Sequence, residues 1–83
     1  DASGVVQLCE VHLHHDWFGL PVSLIESSST ARVAFITRLG AGMIPTENTV
    51  LQEGDLVHVM VTDSKLALVE TALAKSPKVV LGK

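Results

Sequence analysis

The chain has no tyrosine, one tryptophan and two phenylalanines, too few flat rings to stack a run of nucleobases. Only six residues are Lys or Arg, against nine Asp and Glu, and the net charge is −3. The cations are scattered, which argues against the basic footprint of a nucleic-acid binder and against a polybasic membrane patch. The single cysteine, Cys9, has no partner for an internal disulfide, so nothing points to an oxidising compartment. No apolar run approaches the roughly 18 residues that span a bilayer, and no signal peptide is visible. There is no low-complexity tract and no internal repeat. The first residue is Asp1 rather than Met, as expected of a processed chain or of a piece of something longer.

What remains is an apolar chain of 83 residues, enough for one small domain. Hydrophobic residues make up 47% and charged residues 18%, which argues against disorder. A domain of this size buries roughly 60% of its unfolded surface, so its core is thin. An apolar chain with a thin core is suited to burying further surface against a second copy of itself.

Val5 to Leu13 alternates in part, with Cys9, Val11 and Leu13 on one side and Glu10, His12 and His14 on the other, which predicts a strand. Gly19 permits a turn, Pro21 suits a first helical turn, and Leu20, Val22, Leu24 and Ile25 form a short amphipathic patch. The hydroxyls of Ser27 to Thr30 then end a helix expected over Pro21 to Ser27. Arg32 to Leu39 reads as a strand with two apolar faces, expected to be covered on both sides. Gly40-Ala41-Gly42 is a turn, Met43-Ile44 and Thr49 to Gln52 are short extended pieces, and Glu53-Gly54-Asp55 is a second turn. Leu56 to Thr62 is the clearest strand. A last helix is expected from Asp63 or Ser64, either a good N-cap, with Lys75 in its final turn and Pro77 as its stop. Val79 to Leu81 reads as a short edge strand or a partner-facing tail. The order strand, helix, three strands, helix gives an α+β fold.

The residues that carry chemistry form one metal-like group. Glu10, His12, His14 and Asp16 alternate onto one strand face, and imidazole with carboxylate is a zinc or nickel donor set. The group lacks a second spaced ligand pair, so the solvated face of a half-buried strand is the more economical reading. Cys9 sits in an apolar alternation as a small core hydrophobe. The serines have no nucleophile elbow, and Gly40-Ala41-Gly42 lacks both the third glycine and the following helix of a dinucleotide loop. No enzyme signature emerges.

From Gly19 to Leu73 the chain resembles the C-terminal RCK (TrkA-C) domain of potassium-transport regulators. The resemblance is carried by Gly19-Leu20-Pro21-Val22-Ser23-Leu24, by the strand Arg32 to Arg38, and above all by Pro45 to Asp55, where Thr49, Leu51, Gly54 and Asp55 keep the family spacing before a Val-rich strand. In that segment Gly54 is expected at positive φ, with Asp55 accepting backbone amides. The wording of Ala31 to Thr62 is similar to the actinobacterial branch. The resemblance implies a small RCK-C domain over residues 5–76, preceded by a linker remnant at 1–4 and followed by a tail at 77–83.

The resemblance implies a non-catalytic, cytoplasmic regulator on the inner face of the membrane that pairs as a homodimer. Its other partners would be an N-terminal nucleotide-binding RCK domain and an integral membrane potassium transport subunit that it gates. A small ligand, cyclic di-AMP in some members, binds between the copies. The ligand residues implied are Val22, Ile25, Ser29, Thr30, Ala31, Arg32 and Val33, with Pro45 nearby. Glu26 departs from the family by placing a carboxylate where binders have a basic residue. The alternatives are a metal-binding module using Glu10, His12 and His14, or a purely structural dimerisation domain.

Overall fold

Leu56–Thr62 shows how this chain builds its core. Val57, Val59 and Val61 are fully buried, while Leu56 and Met60 between them are about half exposed, the period of a strand with one covered face. In the computed structural model, which describes residues 4–77, that segment is β4 and lies inside a four-stranded antiparallel sheet. The strands are β1 (Val6–Val11), β2 (Arg32–Arg38), β3 (Ala41–Met43) and β4 (Leu56–Thr62), in the spatial order β1-β4-β2-β3. Helices α1 (Val22–Ser28) and α2 (Leu66–Leu73) cover one face. Val22 and Ile25 of α1 and Val69 and Leu73 of α2 join Val11, Ile36, Val57, Val59 and Val61 of the sheet in a single core cluster.

The expected α+β order is present. The comparison of β2 with its expectation is informative. Strict alternation would put Val33 and Ile36 on opposite faces. A β-bulge between Val33 and Phe35 shifts the register, so that Val33 pairs with Val59, Phe35 with His58 and Ile36 with Val57. Val33 and Ile36 therefore both face the helices, and Phe35 faces away. Among the described residues β2 is covered on one side only, which corrects the two-sided burial read from its apolar composition.

Three local details also differ from expectation. β1 ends at Val11 rather than Leu13. The stretch after β4 is first a 3-10 turn, Asp63–Lys65, and neither that turn nor α2 has a side-chain N-cap bond. α2 ends at Leu73, leaving Lys75 beyond its last turn. The tail Val79 to Leu81 lies outside the described residues.

The turns set the corners. Gly54 has φ +92° and Gly19 φ +95°, both in the left-handed region. Asp55 accepts from Gln52 N–H at 2.9 Å, which closes the Gly54 turn. A long-range lock joins the segment after β1 to the end of α2: Trp17 is buried, and its indole Nε1 donates to the Lys75 carbonyl at 2.8 Å.

Candidate functional site

The corner where α1 ends and β2 begins was the expected ligand cleft. Its backbone is tied by Ser29, whose hydroxyl donates to the Ile25 carbonyl at 2.8 Å and accepts from Ala31 N–H at 3.2 Å. Glu26 reaches across the corner and accepts from Val33 N–H at 2.9 Å. The same carboxylate lies 3.7 Å from the Arg32 guanidinium, which is 74% exposed. Glu26 is thus a strut of the fold.

The expected ligand residues do not share one surface. Val22, Ile25 and Ala31 are in the core, beneath the corner, and offer no wall to a ligand. Their apolar character is explained by packing. Val33 is half-buried against that core. Thr30 is exposed and Ser29 half-buried beside a groove, while Pro45 is half-buried in the segment after β3. Arg32 pairs with Met60 and belongs to the opposite face of the sheet.

Among the described residues no helix covers that opposite face. The ladder of β1 with β4 puts Val6 beside Thr62, Leu8 beside Met60 and Glu10 beside His58, and β2 adds Arg32, Phe35 and Thr37. Val6, Leu8, Leu56 and Met60 are all well exposed there. His58 stacks on Phe35 with ring centroids 4.2 Å apart. Its Nε2 is 3.6 Å from a Glu10 carboxylate oxygen, and its buried Nδ1 has no hydrogen-bond partner among the described residues. An apolar patch with Glu10 at one rim and Arg32 at the other is the surface of the domain best suited to association.

The helical face has a groove between the end of α1 and α2. Two adjoining clefts of about 260 and 270 Å³ share Ser28 and Ala72. Hydroxyls of Ser28, Ser29 and Thr30 line one wall, Lys65 and Lys75 stand toward its ends, and Val69 and Trp17 contribute the floor.

Glu10, His12 and His14 do not form a metal centre. The strand ends at Val11, so the alternation that aligns them stops, and Glu10 turns to His58 instead. Among the described residues the one converging trio is His14, His15 and Asp16. The Ser76 hydroxyl donates to Asp16 at 2.7 Å, and this hydrogen bond, followed by the neighbouring imidazoles, holds the Asp16 carboxyl below its ordinary range although partial burial opposes it.

No protein-family model matches the chain. It is 49% identical over 78 residues to "Trk system potassium uptake protein TrkA" of Streptomyces coelicolor. The match covers 94% of this chain and 35% of that protein, so the chain spans about a third of its relative's length. A solved structure described as "Structure of RCK domain with cda" superposes with a TM-score of 0.66, covering 80% of this chain and 96% of that one. At 18% identity that likeness establishes the fold.

Proposed function

We propose that this chain, which has the fold of an RCK domain and is similar to a Trk potassium-uptake protein along nearly its whole length, is the regulatory ligand-binding and dimerisation domain of a potassium transport system. The observation that carries the reading is the likeness to TrkA along nearly the whole chain. The domain does no chemistry itself. It binds a small ligand, shifts the equilibrium between two arrangements of its assembly, and so gates an integral membrane transport subunit. If the chain is a fragment of a longer protein, a nucleotide-binding RCK domain precedes it, and the assembly sits on the inner face of the membrane. No helix among the described residues is long and apolar enough to cross a membrane, in keeping with a peripheral part.

Pairing uses the uncovered face of the sheet. Leu8, Leu56, Met60 and Phe35 supply the apolar centre. A two-fold axis lying in that face between His58 and Met60 carries Glu10, one strand to one side, onto Arg32 of the partner subunit, one strand to the other. The interface is then self-complementary in charge as well as shape.

Cyclic di-AMP is the ligand to test first. Because the expected ligand residues do not share one surface of a single copy, the proposed site is composed from both copies of the dimer: Arg32, Ser29, Thr30, Val33 and Pro45 are its contacts, while Val22, Ile25 and Ala31 hold the corner from below. A phosphate takes Arg32 from Glu26, whose hold at 3.7 Å is loose and exposed.

Light scattering on tag-free protein at tens of micromolar is expected to give twice 8.8 kDa, and Met60→Lys to give the single mass. Calorimetry at fixed salt is expected to find cyclic di-AMP binding, weakened about tenfold or more by Arg32→Ala. A wild-type dimer that binds nothing at ~100 μM, weaker than about −5.5 kcal/mol, leaves a structural dimerisation domain. A monomer overturns the pairing.

A further inference from the structure

We propose that His14, His15 and Asp16 form a binding site for one divalent transition-metal ion of the Zn²⁺ or Ni²⁺ class, separate from the ligand corner and from the dimer face. Three observations carry it: the donor set, the donor spacing and the way the turn is held.

Two imidazoles and one carboxylate are the donor types that borderline divalent ions prefer, and three protein donors leave room for water at the remaining positions. With metal–ligand bonds of about 2.0–2.1 Å, donors in a tetrahedral shell stand about 3.3 Å apart. His15 Nε2 is 3.1 Å from Asp16 Oδ1 and His14 Nδ1 is 3.7 Å from Asp16 Oδ2, so each imidazole stands near that separation from a different oxygen of the one carboxylate. All three donors lie within 4.8 Å of one another. The remaining closure falls to His15, whose side chain is 81% exposed and free to swing. The two rings already stack, with centroids 4.3 Å apart, which keeps the two imidazoles side by side.

The backbone beneath is fixed. His14 N–H donates to the Leu73 carbonyl at 2.9 Å, and Trp17 N–H donates to the His14 carbonyl at 3.0 Å. The buried Trp17 indole pins the other end of the turn to Lys75. The Nδ1 of His14 accepts from Asp16 N–H at 3.1 Å, so this nitrogen carries a lone pair rather than a proton. An ion takes over that lone pair. The Ser76 hydroxyl orients the Asp16 carboxylate from outside, as an outer-shell partner does in metal sites.

Ser76 follows α2 by sequence, and Asp16 follows β1. A bound ion therefore tightens the junction between the exit of β1 and the end of α2, and it stabilises the domain by mass action.

The test uses the whole chain without a histidine tag. Calorimetry with Zn²⁺ and d–d absorption of Co²⁺ are expected to report one ion per chain with micromolar affinity. His15→Ala, at a mostly exposed side chain that stacks on the His14 ring and is outside the core cluster, is expected to weaken binding at least tenfold, and Ser76→Ala about tenfold through the carboxylate. Zn²⁺ is expected to raise the melting temperature of the wild type and not that of His15→Ala. His12→Ala, His58→Ala and Cys9→Ser are expected to bind as the wild type does. A wild-type Kd above about 1 mM overturns the proposal, as does unchanged affinity in His15→Ala or loss of binding in Cys9→Ser or His12→Ala.

Discussion

Arg38 grips both oxygens of Asp55: its Nε donates to Oδ1 at 2.9 Å and its NH2 to Oδ2 at 2.8 Å. The Asp55 side chain is 1% exposed and Arg38 only 23%. The same NH2 donates to the Val50 carbonyl at 3.0 Å, so one guanidinium ties the end of β2 to both the loop before β4 and the turn that starts it. Removing either partner strands the other, but unequally. Arg38 has water beside it, whereas Asp55 does not. Asp55→Ala is expected to cost about 3 kcal/mol, the lower end for breaking a buried pair. Arg38→Ala is expected to cost more, because it leaves a buried carboxylate with only Gln52 N–H for company. Urea midpoints of the two variants check the order.

Acid should find the same pair. The Arg38 hydrogen bonds hold the Asp55 carboxyl below its ordinary range; burial opposes them, and Gln52 N–H reinforces them. A carboxyl lowered on folding stabilises the native state fully above its unfolded value of about 3.9. That contribution is lost as pH falls through the lower folded value. The Asp55-dependent part of the stability should be constant from pH 7 to about pH 5 and should drop below about pH 4. In Asp55→Asn the acid limb is expected to be shallower, because that titration is gone. A limb of unchanged slope would assign the acid loss to other groups.

Much of this architecture is visible in the sequence, and the exceptions have physical reasons. Leu56 to Thr62 alternates so cleanly that one buried face follows from it, and the turn at Gly54 follows from its neighbours. Arg38 and Asp55 both stand in the recognisable segments, yet 17 residues separate them and no local pattern pairs them. Trp17 and Lys75 are 58 residues apart and meet only in the folded chain. The bulge at Ala34 has no composition signal, and it turns Phe35 outward against the strict alternation. The candidate site was harder still. Apolar spacing marks Val22, Ile25 and Ala31 as inward-facing but does not say whether core or ligand lies inward. His15 and Asp16 join His14 only because the strand stops at Val11 and the chain winds into a 3-10 turn.

Glu26 illustrates a residue whose role inverts once its partners are visible. Read as a charge near a ligand phosphate, it appears adverse. In the fold it accepts from Val33 N–H at the bulged start of β2. Glu26→Gln keeps an acceptor oxygen and is expected to change stability by less than about 1 kcal/mol. It also frees Arg32, so binding of an anionic ligand should hold or improve. Glu26→Ala leaves the amide without its acceptor and is expected to cost about 1–3 kcal/mol. Equal melting curves for the two variants would show that Val33 N–H is satisfied another way.

Gly54→Val tests the turn alone. No atom lies within 4 Å of a Cβ built at Gly54, so crowding does not contribute. The backbone does: φ is +92°, where a β-branched residue is strained. A loss of about 1–3 kcal/mol is expected, with cyclic di-AMP affinity and Zn²⁺ affinity unchanged in the folded protein. A melting curve equal to the wild type would place Gly54 in another conformation.

The hairpin between β2 and β3 runs the opposite way, toward a gain. Arg38 pairs with Ala41, so the loop is the two residues Leu39 and Gly40, with φ of 52° and 79°. Two positive φ values in a two-residue loop are those of a type I′ turn, which favours Asn-Gly. Leu39 meets neither need: its φ is unfavourable for a leucine, and its side chain is 100% exposed, so no burial offsets the strain. Leu39→Asn keeps the turn, lowers the backbone cost and removes an exposed apolar side chain. Thermal unfolding of the variant is expected to show a gain of about 0.5–1 kcal/mol. A loss instead would mean that Leu39 is covered in solution, by a second copy or another chain, and that its contact there outweighs the turn. Concentration-dependent melting separates the two sources, because coverage by a second copy makes the wild-type midpoint rise with protein concentration and the variant's rise less.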